Sequence, residues 1–316
     1  MPGRLTRALP RAWDWFWFRP AGPAGLIAAR SIVCAQALWI LLSRPNLPEV
    51  LEWPRAFWFG VDRARAIRFL VFGLSPAIER ALFALLLMAL AAGVFGLFTR
   101  VGGLAMAVLI YHFAAFEDIF SSRGGPFFRG LTLPVLALVL LAFARKPRWR
   151  APSSPEYRWP LAAIQLLFAF TYLFSGMSKL FTVGPRWFTG RNFQGLVLGL
   201  ILPEVAPAWS RPVAASAVLC WAGVFIGFAL DFLFVLVLVF PRAARFAIPG
   251  VALVHLGILQ ILGVVFLGLP LLLLIVDWDG LRRSGERRRP SGARPEDARG
   301  PSGQGAEPAR PRSLLR

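Results

Sequence analysis

Charged residues are scarce in this sequence, and their scarcity excludes an ordinary soluble domain. Asp, Glu, Lys and Arg make up 16% of the 316 residues and hydrophobic residues make up 57%, whereas about 25% charged residues is usual in soluble proteins. The charges lie in short stretches between long apolar runs, as bilayer-spanning helices require. The composition therefore predicts an integral membrane protein, in which the 28 Phe and 12 Trp suit a lipid-facing surface and its interfacial belts.

Histidine and cysteine are also rare, which argues against a metal centre and against a disulfide framework. His112 and His255 are the only histidines, and neither has a second ligand three or four residues away. Cys34 and Cys220 lie in separate apolar runs and form no CxxC pair, so we interpret both as buried structural thiols. We expect no bound metal.

Acidic residues are outnumbered by basic ones, 16 to 35, and the formal net charge is +19. The basic residues lie in loops that flank the apolar runs and in the C-terminal tail, and this distribution does not indicate nucleic-acid binding. Anionic lipid headgroups are the expected partners, because each basic residue near a membrane surface gains about 1 kcal/mol there.

The apolar runs predict an all-α fold, a polytopic transmembrane helical bundle. The short run Phe193–Ile201 fits a re-entrant or interfacial helix or part of a thin span, so the count is about seven or about eight spans. The predicted runs are about Ala24–Ser43, Ala77–Phe98, Val101–Phe116, Gly130–Ala144, Trp159–Leu180, Phe193–Ile201, Pro212–Phe240 and Phe246–Trp278. The basic stretch Arg145–Arg158 is expected in the cytoplasm, and an even count would place the Arg-rich tail there too.

Two runs are longer than a bilayer requires. Pro212–Phe240 has 29 residues, about 44 Å of helix, so we expect it either to tilt strongly or to break near Asp231. The run Phe246–Trp278 is expected to kink or divide at Gly263, Gly268 or Pro270.

Composition divides the chain into three segments. Residues 1–23 form a basic, aromatic segment without a small-residue cleavage site, so we expect no cleavable signal peptide and an interfacial stretch at Trp13–Phe18. Residues 24–279 hold the transmembrane domain. Residues 280–316 carry ten Arg and four acidic residues and are expected to be disordered, as either an electrostatic membrane tether or a solvated tail.

Four ionisable residues lie within the apolar runs: Arg30, Lys179, Asp231 and His255. Such residues are costly at membrane depth and mark candidate functional sites. Lys179 is one of two lysines beside 33 Arg. A desolvated amine can lose its proton whereas a guanidinium cannot, so Lys179 is a candidate general base. A lysine that snorkels from the end of a span is the structural alternative.

Polar residues at intervals of seven share one face of the fifth run. They are Gln165, Tyr172 and Lys179, and the stripe either lines a binding site or joins helices by hydrogen bonds. Asp231 must be neutral or paired in its apolar run, with Arg30 or Lys179 as its partner. His255 is either a neutral hydrogen-bonding residue or a proton carrier.

The fifth run also carries a family motif. The segment Tyr172-Leu-Phe-Ser-Gly-Met-Ser-Lys179-Leu, followed by Trp187-Phe-Thr-Gly190, resembles the fifth-span motif of the HTTM family. This family is the transmembrane domain shared with vitamin K-dependent γ-glutamyl carboxylases.

Further motifs of that family follow in the same order. Arg30 is similar to the family's early arginine, and Gly96–Arg100 is similar to its Gly-Leu-x-x-Arg turn. Asp231, His255 and Gln260 are similar to its acidic residue, later histidine and following glutamine. The resemblance covers about residues 24–276.

The resemblance implies roles for these residues. The matching lysine of the carboxylases acts as the base that deprotonates reduced vitamin K, so Lys179 would hold that role, with Asp231 and His255 as further catalytic residues. A quinone or reduced vitamin K-like cofactor is implied, and the implied cofactor-binding residues are Arg30, Gln165, Tyr172, Trp187 and Gln260.

The expected function is therefore that of a multi-pass cell-membrane protein which binds a quinone or isoprenoid lipid within its helical bundle. Because the tail follows directly after residue 279, we expect no soluble domain for a protein substrate. One alternative is a quinone-dependent, carboxylase-like or redox enzyme whose partner subunit supplies a soluble domain. The other is a small-solute transporter, which would often show inverted repeats or paired interrupted helices.

Overall fold

The computed structural model describes residues 13–43, 74–120, 131–200, 207–240, 243–262 and 269–282. These residues form helices and no β-strand, so the predicted all-α class is confirmed for them. Their one isolated β-bridge joins Ala21 to Ser154. The chain separates into two compact units, Met1–Asp279 and Gly280–Arg316. The predicted disorder of the tail falls almost wholly outside the described residues.

Ten α-helices of the described residues are labelled here, and a further short helical segment covers residues 278–282. In chain order they are α1 (13–18), α2 (Pro23–Leu42), α3 (Pro76–Val94), α4 (Arg100–Phe120), α5 (Thr132–Phe143), α6 (Pro155–Ser178), α7 (Arg191–Leu200), α8 (Ser210–Ala215), α9 (Ala217–Val239) and α10 (Ala244–Leu262). A π-helix, Lys179–Val183, and a 3-10 helix, Gly184–Thr189, connect α6 to α7. A second 3-10 helix, Leu269–Ile275, follows α10.

Serine side chains begin several of these helices. Ser75 and Ser154 each precede a proline at the first helical position, and their hydroxyl groups accept hydrogen bonds from Ile78 N (3.4 Å) and Glu156 N (3.2 Å). Ser216 caps α9 in the same way. A capping hydroxyl satisfies one free N–H group, and proline is preset for the first turn, so these short sequence signals determine where the helices begin.

Five helical segments are long and apolar enough to cross a membrane. They are Pro23–Leu42, Pro76–Val94, Pro155–Thr189, Ala217–Leu238 and Ala244–Ile261. Arg100–Phe113 and Thr132–Phe143 are apolar but shorter. The prediction of seven to eight spans stays a prediction.

Two boundaries differ from those expected. The run Pro212–Phe240 breaks at Ser216, whose φ of −107° and ψ of 110° are extended, and α9 then continues through Asp231 without interruption. The alternative of a break near Asp231 is therefore wrong, because a serine cap was available upstream. The fifth apolar segment does not end at Leu180, since the π- and 3-10 helices carry it to Thr189.

The core of the first unit surrounds α2. This helix packs against α3, α5, α6 and the 3-10 helix Leu269–Ile275. Its contact with α3 is close, because a Cβ on Gly93 would lie 2.6 Å from the Sγ of Cys34. Small residues allow helix backbones to approach in this way when lipid supplies no hydrophobic driving force. Cys34 and Cys220 are both buried free thiols, in agreement with the structural interpretation.

Candidate functional site

Lys179 and Asp231 form an ion pair between α6 and α9. The Nζ of Lys179 lies 2.5 Å from the Oδ2 of Asp231, and the two side chains are 24% and 8% exposed. Of the two partners predicted for Asp231, the structure therefore brings Lys179 to it, 52 residues away in sequence.

A glycine makes this pairing geometrically accessible. A Cβ on Gly176 would lie 2.9 Å from the Cβ of Asp231 and 2.8 Å from the Cε2 of Phe232. These distances are too short for real contacts, so α6 and α9 cross closely only because Gly176 has no side chain. Lys179 follows one turn later and therefore lies beside the same carboxylate.

The helix changes its winding at Lys179. The π-helix begins at Lys179 and ends at Val183, next to Gly184 with a φ of +65°. π-Helical turns are rare and often occur at functional sites. Their wider winding is followed by the 3-10 helix that carries Trp187 back towards the lysine.

Trp187 is the third member of this group. The Nζ of Lys179 lies 5.5 Å from the centroid of a Trp187 ring, within the range of a cation–π interaction. The indole Nε1 of Trp187 is buried and has no hydrogen-bond partner among the described residues. Gly190 ends this segment at a φ of +71°, where a Cβ would meet the backbone N of Trp221 at 3.2 Å. The loop is therefore held tightly against α9.

Tyr172 and His255 form a second polar contact between α6 and α10. The Tyr172 hydroxyl lies 3.3 Å from the His255 Nε2, and the His255 Nδ1 lies 2.8 Å from the carbonyl oxygen of Val251. A carbonyl only accepts, so Nδ1 carries hydrogen and Nε2 of a neutral imidazole is an acceptor. Tyr172 then donates to His255. We refer to Lys179, Asp231, Trp187, Tyr172 and His255 as the polar cluster.

The other predicted binding residues lie elsewhere. The Arg30 guanidinium donates to the carbonyl oxygens of Leu141 (3.2 Å) and Ala144 (3.4 Å) at the end of α5. This arrangement satisfies free carbonyl groups at a helix C-terminus, so Arg30 is not the partner of Asp231. Gln260 is exposed on α10.

Gln165 makes its hydrogen bonds away from the polar cluster, towards the beginning of α6. It accepts a hydrogen bond from Arg158 Nη1 (3.1 Å) and donates to the carbonyl oxygen of Leu274 (2.9 Å). Arg158 precedes Gln165 by seven residues and so extends the polar stripe of α6 by one step. The stripe joins α6 to a different neighbour at each step, which explains why Arg158 and Gln165 do not belong to the polar cluster that contains Tyr172 and Lys179.

A buried pair between α3 and α4 was not predicted. The Nε2 of His112 lies 2.8 Å from the Oε2 of Glu79, and both side chains are buried. The sequence signal that could have indicated this pair is the position of Glu79 and His112, each within an otherwise apolar helix. No group of three metal-ligating residues occurs in the described part of the chain.

Comparison with known proteins finds no matching family model, no similar curated protein and no similar solved structure.

Proposed function

We propose that this chain is a multi-pass integral membrane protein of the HTTM type that binds the polar head of a quinone-like isoprenoid lipid at the polar cluster. The five long helices and the two shorter apolar ones would supply about seven crossings, with α7 as the candidate for an eighth. The observation that carries the binding proposal is the Lys179–Asp231 ion pair beside the unpartnered indole N–H of Trp187.

The depth of the cluster supports an apolar ligand with a polar end. Lys179 lies inside the apolar segment Pro155–Thr189, and Asp231 lies inside the apolar segment Ala217–Leu238. Ionisable residues at such positions are costly and are retained where they bind something. A ligand with an isoprenoid chain would reach this depth through the lipid phase.

The available hydrogen-bonding groups indicate the chemistry of the head. The ammonium of Lys179 has three N–H donors, and the described residues account for one of them at Asp231. The Trp187 indole N–H adds one more donor that has no hydrogen-bond partner among the described residues. Because Lys179 and Asp231 neutralise each other, the pair does not favour an anionic head. Free donors without net charge fit an uncharged acceptor, such as a quinone carbonyl.

The geometry supports a binding role for Lys179 more directly than a role as base. In the structure Lys179 donates a hydrogen bond to Asp231, so base catalysis would require this pair to open. The carboxylase-like or redox alternative therefore needs a second conformation of α6 and α9.

Mass spectrometry of small molecules that co-purify with the detergent-solubilised protein tests this proposal. Lys146 is the other lysine of the chain and is exposed, so Lys146→Ala is a matched control for Lys179→Ala. We expect the wild type and Lys146→Ala to retain a quinone and Lys179→Ala to lose it. Bulk phospholipid alone in all three samples would contradict the proposal.

A second variant separates ligand binding from helix packing. Trp187→Phe keeps an aromatic ring but removes the indole N–H, and it leaves the ion pair intact. We expect the amount of retained quinone to fall about fivefold to tenfold, because one net hydrogen bond contributes about 1 kcal/mol. Unchanged retention would mean that the indole donor does not contact the ligand.

A further inference from the structure

Residues 13–21 pack against the beginning of α6. Ala21 and Ser154 exchange two backbone hydrogen bonds, at 3.2 and 2.9 Å. The Nε of Arg158 donates to the carbonyl oxygen of Phe16 at 2.9 Å, and its Cζ lies 5.3 Å from the Phe16 ring centroid. These contacts bring the N-terminal helix α1 and the loop before α6 to the same end of the bundle.

Arg158 is a buried cation without an acidic hydrogen-bond partner in the described residues. It is 6% exposed, and within the described residues its hydrogen bonds are to the neutral acceptors Phe16 O and Gln165 Oε1. A guanidinium has five N–H donors, so donors beyond these two are not assigned to protein acceptors. A buried charge of this kind is costly unless an anion compensates it.

Arg19 lies next to the same backbone turn. Its Cζ lies 4.2 Å from the ring centroid of Trp15, immediately before the residue that contacts Arg158. Burial lowers the pKa of Arg19, and the nearby Asp277 carboxylate raises it again in part. Asp277 is also within electrostatic range of Arg158. Asp277 therefore interacts electrostatically with both guanidinium groups, and one negative charge does not balance two positive charges.

The surroundings of this pair combine basic and aromatic side chains. Arg145 is neutralised by Glu156 at 2.6 Å, and Asp279 caps α2 by accepting from Ala24 N at 3.1 Å. Further basic residues in the described loop before α6 are Lys146, Arg148 and Arg150, and α1 carries the acidic residue Asp14. Exposed aromatic side chains lie among them, namely Trp13, Trp15, Phe18 and Trp149.

We propose that Arg19 and Arg158 bind the phosphate group of an anionic phospholipid at this end of the bundle, with the exposed aromatic side chains inserted at the level of the headgroups. Arginine recognises phosphate through paired N–H groups, and the excess of basic residues complements an anionic membrane surface. Exposed Trp side chains are typical of the membrane interface, which favours a lipid phosphate over a free phosphate ion.

This site is independent of the polar cluster. Arg158 and Lys179 are separated by 21 residues of helical segment, which corresponds to about 31 Å along an α-helix. That distance is close to the thickness of the hydrocarbon core, about 30 Å. The two sites therefore lie towards opposite leaflets, and a failure of one proposal leaves the other intact.

Native mass spectrometry of the full chain in detergent, after incubation with defined lipids, tests the phosphate site. The probes are phosphatidylglycerol, which is anionic, and phosphatidylcholine, which is zwitterionic. We expect the wild type to retain phosphatidylglycerol selectively and Arg19→Gln to bind it about fivefold more weakly. Arg158→Lys keeps the charge but loses the paired donors, and we expect a similar loss.

Arg245→Gln is the matched control. Arg245 also stacks on an aromatic neighbour, with its Cζ 4.7 Å from the Phe246 ring centroid, so its loss removes the same charge and the same kind of contact. We expect this variant to bind phosphatidylglycerol as the wild type does. Equal weakening by Arg245→Gln and Arg19→Gln, or equal retention of both lipids, would overturn the proposal.

Inorganic phosphate distinguishes the two sources of the ligand. If millimolar phosphate displaces phosphatidylglycerol completely and binds by itself, then the site recognises the free ion and the lipid assignment is wrong. We expect phosphate to leave most of the lipid bound, because it cannot replace the contacts of the acyl chains with Trp13, Trp15 and Phe18.

Discussion

Gly176 and Asp231 touch so closely that a methyl group at residue 176 would lie 2.9 Å from the Cβ of Asp231. This contact fixes the distance between α6 and α9 at the level of the Lys179–Asp231 ion pair. The polar cluster therefore depends on a residue that contributes no functional group. Its dependence on Gly176 can be tested by substitution.

Gly176→Ala is expected to separate α6 from α9 and to weaken the ion pair. Overpacking of this kind typically costs about 1–3 kcal/mol, so the thermal unfolding temperature in detergent should fall. Gly227→Ala is the control, because no atom lies within 4 Å of a Cβ at Gly227 on α9 and alanine favours a helix. Equal stability of the two variants would show that the close crossing is not required.

Removal of the Asp231 carboxylate is expected to destabilise the protein, because Lys179 would be left without its partner. Breaking a buried pair costs about 3–5 kcal/mol, and the partial exposure of Lys179 places the expected loss at the lower end. The measurement is thermal unfolding of Asp231→Ala in detergent.

A double variant tests whether the broken ion pair causes the lower stability of Asp231→Ala. Lys179→Met combined with Asp231→Ala removes both charges, and we expect it to recover part of the stability that Asp231→Ala loses. If the two single changes simply add, then Asp231 is stabilised by water or by other groups and the pair contributes little.

The rarity of lysine permits a direct chemical test of the same pair. Lys146 is exposed whereas Lys179 is largely covered and bonded to Asp231. An amine-reactive reagent is therefore expected to modify Lys146 rapidly and Lys179 slowly, as measured by peptide mass spectrometry. Asp231→Asn should increase the rate at Lys179 and leave the rate at Lys146 unchanged. Similar rates at both lysines in the wild type would contradict the ion pair.

Local sequence patterns predicted the helices of this fold better than the contacts between them. Apolar runs identified α2, α3, α6, α9 and α10, because the length and polarity of a run are local properties. The Ser154-Pro155 start of α6 is likewise a local signal, whereas the apolar run alone begins only at Trp159.

The partners with which the buried polar side chains pair were less predictable from the sequence. Arg30 and Lys179 were equally acceptable partners for Asp231, and only the packing of α2 against α5 assigns Arg30 to the carbonyl groups of Leu141 and Ala144. The π-helix at Lys179 had no local signal that we recognised. Heptad spacing showed that Gln165 and Lys179 share a face, but it did not show that this face meets different neighbours along its length.

The buried Glu79–His112 pair allows a test that separates the contribution of the hydrogen bond from that of the negative charge. Glu79→Gln keeps a side-chain oxygen that can accept from the imidazole, so we expect its unfolding temperature to stay near that of the wild type. Glu79→Ala removes the acceptor and leaves a buried donor, which costs about 1–3 kcal/mol. Thermal unfolding of both variants in detergent measures the difference. If Glu79→Gln is as unstable as Glu79→Ala, then the pair depends on the negative charge of Glu79 and not on the hydrogen bond alone.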